Sequence, residues 1–309
     1  MAQLLQWAPE IFYSLCGLVS INAAVRALKN PKAKYGTFLF WLILGIIFIF
    51  GKIIPYVMTG GLLIFMGLLT VTDQVKIGEF EDIDETKKKE ASERVKNKIF
   101  IPAALIGVMA LVMSFVRIGG KPLDGATMIG VACLVSLISA FVICKPKVKE
   151  TREDTARLLM QVGAACLLPQ LLGALGAVFT KAGVGEVIAS IISSVFPTGN
   201  IVIGVLLYCL GMVVFTMIMG NGFAAFSVIT VGIGVPFVIM QGGNPVVVAT
   251  LGMTSGFCGT LLTPMAANFN IVPCAVLETK DKWTVIKAQI PMAIILIVIH
   301  VVLMLMLAF

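Results

Sequence analysis

Residues 200–240 read NIVIGVLLYCLGMVVFTMIMGNGFAAFSVITVGIGVPFVIM. The stretch is apolar for about 40 residues and is broken by Gly220-Asn221-Gly222. A second apolar stretch, Pro245 to Leu277, is broken by Gly259, Pro264, Asn268 and Asn270. A helix crosses a bilayer with about 20 mostly apolar residues. Unpaired backbone groups are not tolerated in hydrocarbon, so broken backbone at membrane depth must lie inside protein or beside a water-filled cavity. Two Gly/Asn/Pro-rich breaks in succession therefore predict a cavity. Discontinuous helices of this kind are how secondary transporters build substrate sites.

The whole chain agrees with a membrane reading. It has 309 residues, 59% of them apolar and only 13% charged, and its mean hydropathy is +1.03. Soluble domains carry about 25% charged residues. One His and seven Cys without a C-x-x-C pair give no support to zinc or iron–sulfur sites. The Cys read as small hydrophobes, with Cys258 set apart by its neighbours in the second break. Nothing reads as a Ser/His/Asp, P-loop or H-E-x-x-H centre. The lone His300, in the last helix, reads as a hydrogen-bonded or interfacial side chain rather than a catalytic one.

Outward from the breaks, spans are expected over 9–25, 38–56, 57–72, 99–116, 124–144 and 158–180, the last kinked at Leu168-Pro169-Gln170. Residues 184–195 are too short to cross and read as an interfacial amphipathic helix. The first 25 residues lack a basic n-region, so the first span is expected to be retained. Residues 73–98 hold eight acids and seven bases and read as a solvated loop or short surface helix. A second basic loop is expected over 145–157. The expected domains are scaffold helices over 1–157 and a transport region over 158–309. The latter comprises the interfacial helix, a re-entrant hairpin over 200–240, a broken helix over 245–277 and a final helix over 285–309.

The excess of bases, a net charge of +7, reads as topology rather than nucleic-acid binding. With a re-entrant hairpin and a broken helix that crosses once, the chain makes eight crossings. Nineteen of the 23 Lys and Arg then fall on one side. This places both termini outside and the 73–98 segment in the cytoplasm.

All sixteen carboxylates lie in loops or at membrane edges. A carboxylate proton relay and an intramembrane aspartyl protease are thereby disfavoured. The breaks offer Gly, Asn, Ser and Thr instead. The candidate substrate-binding residues are Gly220, Asn221, Gly222, Ser255, Thr260, Thr263, Pro264, Asn268 and Asn270. Half-helix N-termini suit a carboxylate, and half-helix C-terminal carbonyls suit Na⁺. A bland alternative stays open: Gly252 and Gly256 form a G-x-x-x-G, and Asn and Thr can serve only as interhelical glue.

The residues from Gly220-Asn221-Gly222-Phe223 through Gly242-Gly243-Asn244-Pro245 to Cys258-Gly259-Thr260-Leu261-Leu262-Thr263-Pro264-Met265-Ala266-Ala267-Asn268-Phe269-Asn270 resemble a bacterial family of predicted permeases, domain of unknown function family 979. Leu168–Gly176 and Gly183-Val184-Gly185 fit it as well. The resemblance implies one subunit of a two-subunit 5-oxoproline (pyroglutamate) transporter in the bacterial inner membrane. Its partner would be a second small membrane protein. The breaks are also distantly similar to the ion transporter superfamily, which includes divalent-anion/sodium symporters. That likeness implies Na⁺ as coupling ion near Asn221, Gly259 and Asn268. It also implies two inverted halves, each with a hairpin and a broken helix. One clear set is visible, as expected of a half-transporter completed by a second subunit.

The fold expected is thus an all-α integral membrane protein, half of an inverted-repeat secondary transporter. The function expected is import of a small carboxylate, with no enzymatic activity and no nucleic-acid partner. A channel or pore subunit and a non-transporting scaffold subunit are the competing readings.

Overall fold

A computed structural model describes residues 2–80, 85–195 and 199–309. Residues 81–84 of the charged segment lie outside the described residues. The chain forms two compact units, Met1–Gly163 and Ala164–Phe309.

The first unit begins with α1 (Ala2–Ala27), α2 (Lys34–Phe50) and α3 (Tyr56–Val71). It continues through α4 (Glu85–Val95), α5 (Phe100–Phe115), a two-stranded turn of β1 (Arg117–Ile118) and β2 (Lys121–Pro122), α6 (Gly125–Cys144) and α7 (Val148–Val162). Helices α1 and α2 approach closely because Gly17 and Gly45 face each other. A β-carbon on Gly17 would stand 2.8 Å from the Gly45 carbonyl oxygen. Small residues at such crossings let apolar helices gain dispersion contacts where no hydrophobic force separates helix from lipid. Helix α6 starts where Asp124 accepts hydrogen bonds from Thr127 N–H (2.9 Å) and Thr127 Oγ1 (2.6 Å).

The second unit holds α8 (Leu168–Lys181), α9 (Val184–Val195), α10 (Ile201–Met219) and α11 (Gly222–Ile229). A π-helical segment over Thr230–Ile239 follows, then α12 (Pro245–Thr260), α13 (Ala267–Val276) and α14 (Thr284–Leu307). Its core is built around Tyr208, Met212, Ile229, Phe237 and Val248, all buried.

Among the described residues, seven helical stretches are long and apolar enough to cross a membrane: 7–27, 89–115, 125–144, 148–181, 201–219, 222–239 and 284–307. Shorter apolar helices cover 34–50, 56–71, 184–195, 245–260 and 267–276. The architecture is consistent with a multi-pass membrane protein. It departs from the expected spans in two ways. Helix α2 ends at Phe50 rather than near residue 56, whereas α3 has the expected 16 residues. The two arms of the 200–240 hairpin, by contrast, are each of spanning length.

The basic segment 145–157 is largely helix rather than loop. The Glu150 carboxylate accepts the Lys147 N–H at 3.2 Å and caps α7. Ala156 and Met160 are buried, and Arg152 Nε donates to Asn22 Oδ1 of α1 at 3.1 Å. Charges at helical spacing, with an apolar face, override the composition that reads as loop. The expected kink at 168–170 falls earlier. Gly163 takes φ 54° and ψ −140°, a conformation that side chains disfavour, and a 3₁₀ turn over Gly163–Leu167 follows. Pro169 instead occupies the first turn of α8, where its missing N–H costs nothing. The 184–195 segment is the expected helix, and glycines fasten it to the hairpin's second arm. A β-carbon on Gly185 would meet Val228 O at 2.8 Å, and one on Gly232 would meet Gly185 O at 2.6 Å.

Three contacts order the second unit along one axis. Asn244 N–H donates to Ala308 O at 2.8 Å, so the start of α12 lies at the end of α14. His300 Nε2 lies 3.0 Å from Thr254 Oγ1 midway. Cys274 Sγ lies 3.3 Å from Lys282 O at the other end. The α12–α13 pair therefore runs antiparallel along the whole of α14. Helix α10 runs parallel to α12: Tyr208 meets Gly252, Met212 meets Gly256, and Thr216 meets Gly259. Its second arm returns antiparallel, with Gly204 against Phe237 and Gly211 against Ile233. With a rise of about 1.5 Å per residue, α14 is roughly 36 Å long and α10 roughly 28 Å. The hairpin tip therefore stops short of the far end of α14, at the level of the break between α12 and α13.

Candidate functional site

The site is the meeting of that tip with that break. Gly220 ends α10 with φ +64°, a left-handed turn that frees the next residue to start a new helix. A β-carbon there would stand 2.5 Å from Met265 O and 2.7 Å from a Leu172 methyl. Asn221 then caps α11: its Oδ1 accepts from Phe223 N–H at 2.9 Å and Ala224 N–H at 3.2 Å. Those two bonds occupy the oxygen, so the Asn221 amide offers its N–H groups to a ligand. Gly222 is buried against the Phe257 ring.

The break is held by Thr263 and Asn270. Thr263 Oγ1 donates to Met217 O at 2.8 Å and accepts Met265 N–H at 3.2 Å. Asn270 is fully buried, and its Nδ2 donates to Thr260 O and to Thr263 O, both at 2.7 Å. Asn270 thus closes the C-terminal end of α12 from the next helix on, satisfying carbonyls that a helix end leaves free. Pro264 lies half-buried between them.

Two buried oxygens here have no hydrogen-bond partner among the described residues, Asn270 Oδ1 and Thr216 Oγ1. Thr216 sits against Gly256 and Gly259, and its carbonyl accepts Gly220 N–H at 2.7 Å. An unpaired buried acceptor is costly in a native protein and points to a donor or cation that satisfies it. Thr216 was not singled out from the sequence. The signal was available, since it is the one Thr or Ser in α10 and lies one turn before the break.

The remaining candidates divide. Thr260 is buried, but its hydroxyl donates to Phe257 O at 2.6 Å within its own helix. Ser255 lies more than a turn from the break and donates to Cys209 O at 3.1 Å, fastening α12 to α10. Asn268 lies in the first turn of α13 and is exposed. Gly259 is packed against Val213 O, which leaves no room for a β-carbon, so its role includes close helix approach. Helix α13 begins at Ala266 with no side-chain cap, leaving first-turn N–H groups without a capping oxygen.

No Asp, Glu, Lys or Arg occurs in α10, α11, α12 or α13. Among the described residues no group of three or more His, Cys, Asp or Glu could hold a metal ion. Whatever binds here meets backbone dipoles, amides and hydroxyls.

No curated protein and no solved structure matches the chain. A family model described as "Protein of unknown function (DUF979)" matches residues 10–309. The chain belongs to that family.

Proposed function

We propose that the chain is one subunit of a secondary transporter that imports a small carboxylate, cation-coupled, with 5-oxoproline the substrate suggested by the family resemblance. The observation that carries the reading is the meeting of the hairpin tip at Gly220 with the helix break at Met265, inside apolar segments. Irregular backbone at such a place is tolerated where it lines a cavity. The hairpin re-enters from the side of the α12 N-terminus and the α14 C-terminus, and the broken helix crosses once. The N–H groups of Asn221 and of the first turn of α13, beside Asn268, receive the carboxylate. Thr216 Oγ1 and Asn270 Oδ1 fit Na⁺, a hard cation that takes oxygen ligands. This differs from a Na⁺ position at Asn221, whose oxygen already accepts two hydrogen bonds.

The second unit supplies one hairpin and one broken helix, so a second small membrane subunit supplies the other half. The bases of 26–34, 76–98, 145–157 and 280–287 face the cytoplasm, and both termini face outward, in a bacterial inner membrane.

The test is uptake of labelled 5-oxoproline by cells expressing both subunits. Asn221→Ala and Asn270→Ala should each lower uptake by about tenfold or more, the scale of a lost hydrogen bond to a charged group. Thr216→Val should weaken the dependence on Na⁺. Wild-type uptake retained in both Asn variants would refute the site.

A further inference from the structure

We propose that the exposed face of α8 and the start of α9 is an interface between two copies of this chain, joined at mid-membrane depth by Lys181 of each copy with Glu186 of the other. The inference rests on the membrane-spanning reading of the hairpin arms and not on the transporter reading.

The depth of these two residues follows from their neighbours along the hairpin's second arm. Leu172 packs on Gly220 at the tip, Gly176 packs on Ala224, and Thr180 Oγ1 lies 3.2 Å from Ser227 Oγ. Helix α8 therefore runs along the arm from the tip and ends at Lys181, beside Ser227. Gly183 turns the chain with φ +69°, and Gly185 at the start of α9 packs on Val228 and Gly232. At about 1.5 Å per residue, Ser227 lies roughly 18 Å from the arm's end at Ile239 and roughly 8 Å from the tip. The tip itself stops short of the far end of α14, so Lys181 stands near the middle of the apolar layer. Residues 231–239, VGIGVPFVI, continue beyond that level without a polar side chain. A lysine stem is too short to reach either interface from there.

Lys181 and Glu186 are both exposed, and neither takes part in an ion pair among the described residues. Glu186 Oε2 lies 3.2 Å from where a β-carbon on Gly183 would be, so its carboxylate covers the turn that follows Lys181. One group of each sign thus sits on one small patch. Ionisable groups at this depth do not face lipid; they meet a cavity or one another.

A second copy is the occupant with the matching chemistry. A two-fold interface is self-complementary, so where Lys181 of one copy meets Glu186 of the other, the reverse pair forms as well. Copies inserted in the same direction have their two-fold axis along the membrane normal, so both pairs fall at the same depth. The surface around the charges suits helix against helix. Leu171, Leu175, Val178 and Ala182 are exposed at alternating spacings of four and three, the seam of a two-stranded helix pair. A β-carbon on Gly173 would meet nothing within 4 Å, and Ala177 one turn on is exposed, so another helix can approach closely.

The test uses the full chain, purified and reconstituted in liposomes, with the dimer fraction counted by single-molecule photobleaching as protein density is lowered. The wild type should be dimeric at the higher densities. K181E and E186K each set like charges face to face and should move the midpoint to about tenfold higher density or more. Mixing K181E carrying one fluorophore with E186K carrying another should restore pairing as mixed dimers, because every contact is then opposite in sign. A salt bridge closed within one chain gives the reverse result, rescue in the K181E/E186K double variant and none on mixing. Melting temperatures check that the variants fold. Should a charge reversal unfold the chain, K181Q and E186Q should still weaken pairing by several-fold. A wild type that is monomeric at every density, pairing indifferent to both substitutions, or the absence of mixed dimers overturns the proposal.

Discussion

Gly220 and Met265 touch: the turn that ends one half of the hairpin packs on the carbonyl of the broken helix, leaving no room for a β-carbon. Gly220→Ala should therefore damage the site twice. The left-handed conformation costs roughly 1–2 kcal/mol for a residue with a side chain. The new methyl also forces the two loops apart. The expected result is a lower melting temperature in detergent together with loss of uptake. Gly61→Ala is the contrast, because a β-carbon there would meet nothing within 4 Å. In mid-helix it should be neutral or stabilising by up to about 1 kcal/mol. Equal melting temperatures for the two variants would contradict the tight contact.

Asn270 and Asn268 are two residues apart and should behave oppositely. Asn270→Ala leaves Thr260 O and Thr263 O without their donor, at about 1–3 kcal/mol for each buried group. Asn268→Ala, exposed on α13, should change stability by less than about 0.5 kcal/mol. Thermal unfolding of the purified variants separates this stability effect from any effect on uptake.

Tyr208 is wedged between Gly234 and Gly252 and hydrogen-bonds Thr230 Oγ1 at 2.9 Å. The atom nearest a β-carbon on Gly252 is the phenol oxygen. Gly252→Ala should destabilise the α10–α12 contact, and adding Tyr208→Phe should relieve part of the damage. A double-mutant cycle of unfolding free energies should give a favourable coupling. Simple additivity would show that the two residues do not meet.

Burial pushes the Asp124 carboxyl up, but hydrogen bonds from Thr127 Oγ1 and from backbone N–H groups outweigh it and hold it below its ordinary value. A carboxylate depressed on folding stabilises the native state above its unfolded value, near pH 4, and loses that contribution as pH falls through the native value. Amide exchange at Thr127 should show stronger protection at pH 6 than below about pH 3. Asp124→Ala should abolish the difference and cost about 1 kcal/mol, the usual worth of a helix cap.

Several elements were legible because they rest on local chemistry. Apolar length marked α1, α5, α6, α10 and α14, with spans expected to start near residues 124 and 200. Both breaks were legible for the same reason: Gly220-Asn221-Gly222 and Thr263-Pro264 cannot continue an apolar helix without a special turn or a lost donor. The 148–162 helix was obscured because charge density reads as loop until its apolar face is matched with α1. The break at Gly163 was obscured by Pro169, the stronger signal in one dimension, which folds harmlessly into a first turn.

By itself the sequence determined that the protein is an apolar helical chain with two interrupted segments that carry no acid, because composition and breaker residues act locally. Tertiary structure alone decided which atoms meet at those interruptions. Ser255 turned out to fasten α12 to α10, and Thr216 and Asn270 to hold the unpaired oxygens. A side chain's free donors and acceptors depend on which neighbours have already taken them, and neighbours 40 or more residues apart are set only by packing.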